Sequence, residues 1–157
     1  YGNAWFVNKI IEVESAQEEM EALTSLESKK EAIIDVSKFS LNNNKNEFNV
    51  SGNINLIEYS PNRLLYKSSN NYASFVVFSE IYYPNGWKVL VNGIEKKLVR
   101  TNYVLRGLEL DKGENTIEMI FEPNSYTIGN VIIKFSNYLL LLLTLLLCTY
   151  EFRKKYK

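Results

Sequence analysis

The chain has 157 residues, 18 Lys and Arg against 18 Asp and Glu, and no histidine. The length suits one ordinary domain with an appendage, and the missing imidazole removes the commonest general base and the commonest metal ligand. Its single cysteine, Cys148, excludes an internal disulfide and any cysteine zinc spacing. No basic patch with interleaved aromatics speaks for nucleic acid, so no metal, no cofactor and no nucleic acid partner is expected.

A start at Tyr1 rather than Met is expected of a segment of something longer, and a processed start gives the same reading; no signal peptide is visible there, and a fragment would not show one. Ala4 to Val13 is apolar and rich in β-formers. Ser15-Ala16-Gln17-Glu18 is a capping-box pattern, and Ala16, Met20, Leu23 and Leu26 recur at helical spacing, which predicts one amphipathic helix over 16–27. Ala32 to Val36 reads as a second strand. The opening unit, 1–40, is thus strand–helix–strand. Asn42 to Asn46 is a polar loop.

From Glu47 the pattern turns to period two. Strands are expected through Phe48 to Ile57, Arg63 to Tyr66, Tyr72 to Phe78, Trp87 to Val91, Tyr103 to Leu110 and Asn115 to Phe121. Asn92-Gly93 is a type I′ hairpin signal, because both central residues of that turn need positive φ. Pro61, Pro84 and Pro123 all fall between strands. Short strands with turns at this spacing argue an antiparallel β-sandwich over 47–123, so the fold class is mainly β with one terminal helix.

That helix is the apolar run Tyr138 to Tyr150 with its flanks. From Lys134 to Arg153 a helix rises roughly 28 Å, close to the hydrocarbon thickness of a bilayer. Both cations can reach the interfaces with their stems in lipid, and Tyr138, Tyr150 and Phe152 stand where interfacial aromatics belong. A buried helix of a soluble protein is the rival reading, but the rest of the chain offers no layer to wrap it. A wall-sorting signal would need a Leu-Pro-x-Thr-Gly pattern that Glu122-Pro123-Asn124-Ser125-Tyr126 does not supply. Residues 130–152 are therefore expected to span the membrane. The cations Arg153, Lys154, Lys155 and Lys157 place the tail, 153–157, in the cytoplasm and residues 1–129 outside.

Several blocks, in order, resemble the last extracytoplasmic region of the YfhO family of bacterial membrane proteins. They are Gly2-Asn3-Ala4-Trp5-Phe6-Val7, Ser79-Glu80-Ile81-Tyr82-Tyr83-Pro84-Asn85-Gly86-Trp87-Lys88 with Asn92-Gly93, Arg100-Thr101-Asn102-Tyr103-Val104-Leu105-Arg106-Gly107, and Phe121-Glu122-Pro123. Gly129 and the final apolar helix complete the match. The resemblance implies a polytopic protein with many further helices, similar to glycosyltransferases that use lipid-linked sugars to modify cell-envelope polymers. It implies partners to match: the bilayer, the remaining helices of the parent protein, and a polyprenyl-phosphate sugar or envelope glycan. In such enzymes the catalytic acid lies on an early loop. No position here corresponds to it, so no catalytic residue is expected in this segment.

Two groups of side chains are candidate glycan or lipid-phosphate contacts. Tyr82, Tyr83 and Trp87 surround Pro84-Asn85-Gly86, and aromatic faces stack on sugar rings; ordinary core packing explains them equally, above all Trp87, which alternates with Val89 and Val91. Glu80, Arg100, Arg106 and Glu122 are charges beside apolar strands. A carboxylate pair could do acid–base work and the arginines could meet phosphate, but solvated surface pairing is the simpler expectation. Two functions follow. One is the accessory domain of a membrane glycosyltransferase; the alternative is a non-catalytic structural or glycan-binding sandwich.

Overall fold

The computed structural model describes residues 2–41 and 45–155, so most of the asparagine loop lies outside the described residues. The chain divides into two compact units, Tyr1–Phe121 and Glu122–Lys157.

The first unit has three layers. One sheet runs in the order β1 (Ala4–Val7), β6 (Ser74–Ile81), β10 (Leu105–Leu110), β9 (Val99–Thr101). A second runs β4 (Gly52–Ser60), β5 (Arg63–Asn70), β11 (Gly113–Phe121), β7 (Trp87–Val91), β8 (Ile94–Lys96). Every pairing within these two sheets is antiparallel. They enclose the main core: Phe6, Val76, Phe78, Leu108 and Leu110 from the first sheet meet Leu64, Tyr66, Val89, Val91, Ile117 and Met119 from the second. Tyr66 and Phe78 cross edge to face at 4.9 Å.

The third layer is the strand–helix–strand unit. β2 (Lys9–Val13) and β3 (Glu31–Asp35) pair in parallel, and α1 (Ala16–Ala22) lies between them in the chain. Ile10, Ala32, Ile34 and Phe48 cover Val7, Phe75, Val77 and Val99 on the outer face of the first sheet. That sheet is therefore buried on both faces. β6 records this in its composition: Ser74 to Phe78 are all buried, so the strand is a continuous apolar run and not an alternation. β5 has one covered face and alternates, with Leu64, Tyr66, Ser68 and Asn70 buried.

Two expectations change in α1. The Ser15 cap forms, accepting the Glu18 amide at 3.2 Å, but the α-helix stops at Ala22 and a short 3-10 turn, Leu23–Ser25, ends it. The buried residue on the helix is Glu19, fully enclosed, while Met20 is 47% exposed. The apolar spacing of 16, 20, 23 and 26 also fits 16, 19, 23 and 26, and an ion pair makes the second set the inward one. The Asn92-Gly93 hairpin is as expected, with φ of 52° and 82°, and Asn92 Oδ1 accepts the Thr116 amide across the sheet at 2.8 Å.

The second unit is α2 (Asn124–Lys155), 32 residues or roughly 48 Å of helix. Ile128–Lys155 is long and apolar enough to cross a membrane, and no part of its apolar stretch is buried. Its two threonines in that stretch leave no hydroxyl stranded: Thr144 and Thr149 donate to the carbonyls of Leu141 and Leu146, the bonding that lipid demands of a polar side chain.

Candidate functional site: an aromatic groove backed by Arg106

Antiparallel pairing gathers several turns at one end of the sandwich. Phe121 closes β11 opposite Trp87, which opens β7, and its amide donates to Asn62 O in the β4–β5 turn. The β6–β7 connection, Tyr82 to Gly86, crosses the same end, and the Tyr82 amide donates to Val104 O in the β9–β10 turn at 2.7 Å. Beside it opens a groove of about 480 Å³. Tyr82, Tyr83, Pro84 and Trp87 form its aromatic wall, and Lys88, Glu95, Lys96 and Lys97 supply charge.

Trp87 is half-buried. It packs against the main core and its ring lies 5.2 Å from Phe121, which also meets Tyr83 at 6.4 Å. The Arg106 guanidinium sits 4.2 Å from the Trp87 ring centroid. Tyr82 instead stands edge-on to Phe39 at 5.4 Å, and burial raises its hydroxyl pKa against the opposing pull of Arg100. The three aromatics expected to cluster thus line one groove but are held by different neighbours.

Neither arginine is a solvated surface charge, contrary to expectation. Arg106 is 3% exposed. Its Nε–H donates to Ile81 O at 2.9 Å and a terminal nitrogen approaches the Met119 sulfur at 3.5 Å. Burial lowers its pKa from the ordinary value, opposed by the charge of Glu80 and by Tyr66. Burial also pushes the Tyr66 hydroxyl up to about 12, helped by Glu80, and that hydroxyl has no hydrogen-bond partner.

Arg100 joins the layers. It meets the buried Glu19 at 2.6 Å and Asp35 at 3.9 Å, and it lies between the rings of Phe39 (5.6 Å) and Tyr103 (5.3 Å). The other Glu19 oxygen accepts the Tyr103 amide at 2.8 Å. Next along the chain, Thr101 donates to Ile33 O. Asn102 then pairs with Ile33 as a strand would, its amide donating to the carbonyl and its Oδ1 accepting the amide. Asn102 and Tyr103 hold φ of 50° and 68° to do so, a conformation that costs an L residue. The Ser37 hydroxyl bond, first, and Lys38 hold Asp35 below the usual carboxylate range against the effect of burial.

Of the seven candidate contacts, the groove takes Tyr82, Tyr83 and Trp87. Arg100 and Arg106 brace the fold, Glu80 is half-buried within the electrostatic reach of Arg106 and Tyr66, and Glu122 is exposed in the second unit. Sequence reasoning missed Glu19, Asp35 and the Glu95-Lys96-Lys97 side of the groove. Glu19 left a signal, since it shares the helical stripe of Ala16 and Leu23. The β8 charges left none, because a three-residue edge strand carries no period.

Comparison with known proteins gives the chain its relatives. A family described as "Bacterial membrane protein YfhO" matches residues 14–133. The "Uncharacterized protein YfhO" of Bacillus subtilis (strain 168) is 26% identical over 99 residues, which are 63% of this chain and 10% of the relative. The chain therefore corresponds to a small part of that protein. No solved structure matches. With the family matched from α1 through β11 and into α2, over more than half of its length, the chain belongs to the YfhO family of bacterial membrane proteins.

Proposed function

We propose that this chain is an accessory, non-catalytic domain of a membrane glycosyltransferase-like protein, and that its aromatic groove holds a glycan of the cell envelope. The observation that carries the reading is the groove itself: Tyr82, Tyr83 and Trp87 on one wall, with Lys88, Glu95, Lys96 and Lys97 around it. Flat apolar rings suit the faces of a sugar, and the ring of charges suits its hydroxyls. Arg106 fixes the Trp87 plane from behind, so the platform is ordered before a ligand arrives, and ordering costs less on binding. Transfer needs a positioned carboxylate base. Here Glu19 and Asp35 are engaged in the Arg100 cluster, and the carboxylate that does line the groove, Glu95, is exposed on the edge strand β8.

In this reading the domain faces outward and the basic end of α2 faces the cytoplasm, as the Arg153-Lys154-Lys155 cluster favours. A reporter fused after Lys157 should work only in its cytoplasmic form. The functional test is sugar transfer from a polyprenyl-phosphate donor by the full-length protein. Tyr83→Ala should lower turnover or raise the acceptor KM without changing the melting temperature, and residues 1–157 alone should give no turnover. Unaltered transfer in the Tyr83→Ala and Tyr82→Ala proteins would remove the groove from the function.

A further inference from the structure

We propose that the end of the sandwich from which α2 departs rests in the lipid headgroup layer, with Ile81 and Val104 as its contact residues. Ile81 is 71% exposed and Val104 48% exposed. They are neighbours: Ile81 pairs with Leu105 in the β6–β10 ladder, and the amide after Ile81 donates to Val104 O. Neither lines the aromatic groove. Tyr59, 65% exposed, closes β4 at the same end, and Tyr83 is 51% exposed there. Apolar tips flanked by tyrosines are the composition of a membrane–water interface. In water they would be an unexplained patch.

Chain connectivity selects lipid as the occupant. β11 ends at Phe121, α2 begins at Asn124, and the stretch apolar enough to enter a membrane begins at Ile128. Three extended residues and one helical turn reach at most about 17 Å. The headgroup layer is itself roughly 5–8 Å deep. Whatever the angle of the helix, this end of the sandwich stays within a short tether of the bilayer that α2 can enter. The opposite end carries Asn70, Asn71, Asn92 and Asn115 around its turns. Tyr72 and Ile94 are exposed there too, at the far end of the strands, and they serve as controls. The proposal does not depend on what the groove binds.

The test uses the whole 157-residue chain in nanodiscs, with Cys148→Ser as the background. Nitroxides are attached at Ile81→Cys and Val104→Cys, and at Tyr72→Cys and Ile94→Cys; Tyr83→Cys is a second probe of the proposed end should either of the first two fail to fold. Collision rates are read with oxygen, which concentrates in lipid, and with a water-soluble nickel chelate. The oxygen-to-nickel ratio should be several-fold higher at residues 81 and 104 than at 72 and 94. Equal ratios at the two ends would overturn the proposal. So would low collision with both reagents at 81 and 104, the sign that protein, such as a second copy of the chain, covers them.

Discussion

Arg100 and Arg106 stand opposite one another in the β9–β10 ladder, yet they are housed in different ways. Like charges in register repel, and each arginine turns to company of its own. Arg100 finds carboxylates, Glu19 at 2.6 Å and Asp35 at 3.9 Å. Arg106 finds a carbonyl, a thioether and an indole face, with Glu80 near enough only to be felt. The first arrangement joins two layers and is intolerant of losing a member. The second stiffens the wall of the groove and depends on shape, because only a planar cation stacks flat on a ring.

The sharpest way to break the comparison is Glu19→Ala. It strands the Arg100 charge and the Tyr103 amide together, and breaking a buried pair from one side costs about 3–5 kcal/mol; the lower end is expected because the Arg100 side chain keeps 21% of its surface. Urea unfolding of the detergent-solubilised chain should show the loss. Gly107→Ala comes next. A Cβ there would lie 2.4 Å from the Phe75 ring, an overpacking worth about 1–3 kcal/mol, read in the same titration. Arg106→Lys should do less, since it keeps the charge and loses only the stacked plane. A cost of about 0.5–2 kcal/mol is expected, with a change in Trp87 emission that Arg100→Lys does not produce.

Acid and alkali should separate the two regions. Asp35 has its pKa lowered, so its contribution is present above the unfolded carboxylate value near 3.8. That contribution is lost as pH falls through the lower, folded value. Burial pushes the Tyr66 hydroxyl from the ordinary tyrosine value of 10.0 up to about 12. Its contribution is intact below pH 10 and disappears as pH rises towards 12, by about 2–3 kcal/mol. Tyr66→Phe should remove most of the alkaline loss, leaving the part due to Tyr82, whose hydroxyl burial also raises. Because the Tyr66 hydroxyl is buried with no hydrogen-bond partner, the substitution should leave stability at pH 7 unchanged or raise it by about 1 kcal/mol. Unfolding followed from pH 3 to 12 tests both limbs.

What the sequence disclosed follows from period and from turn chemistry. The I′ hairpin at Asn92-Gly93, the Ser15 cap, the alternation from Trp87 to Val91 and the apolar run of α2 are local signals, and each structure they announce is present. The fates of the arginines were not legible. Arg100 acquires Glu19 across 81 residues of chain, and Arg106 meets Trp87 from the opposite sheet. Neither distance has a counterpart in spacing. A charge on a strand reads as solvated until a third layer, or the mouth of a sandwich, encloses it. The groove was half legible for the same reason: its aromatic wall is one contiguous loop, whereas its charged side comes from β8 and the residues after it.

The placement of β6 has a consequence for how the protein is made. β6 lies between β1 and β10, so Trp5 waits for Val77 and Val77 for Gly107. The second sheet waits longer, since β11 separates β5 from β7. Non-local pairings of this kind close slowly, because the loop entropy is spent before the contacts return it. As the ribosome delivers the chain from its N-terminus, the first sheet can be completed only when β10 has emerged and the second only when β11 has, and α2 follows β11 almost at once. Completion of the domain and insertion of its helix are thus neighbouring events in time, and a stalled or truncated chain that lacks α2 by a few residues more would lack the keystone strand of the sandwich as well.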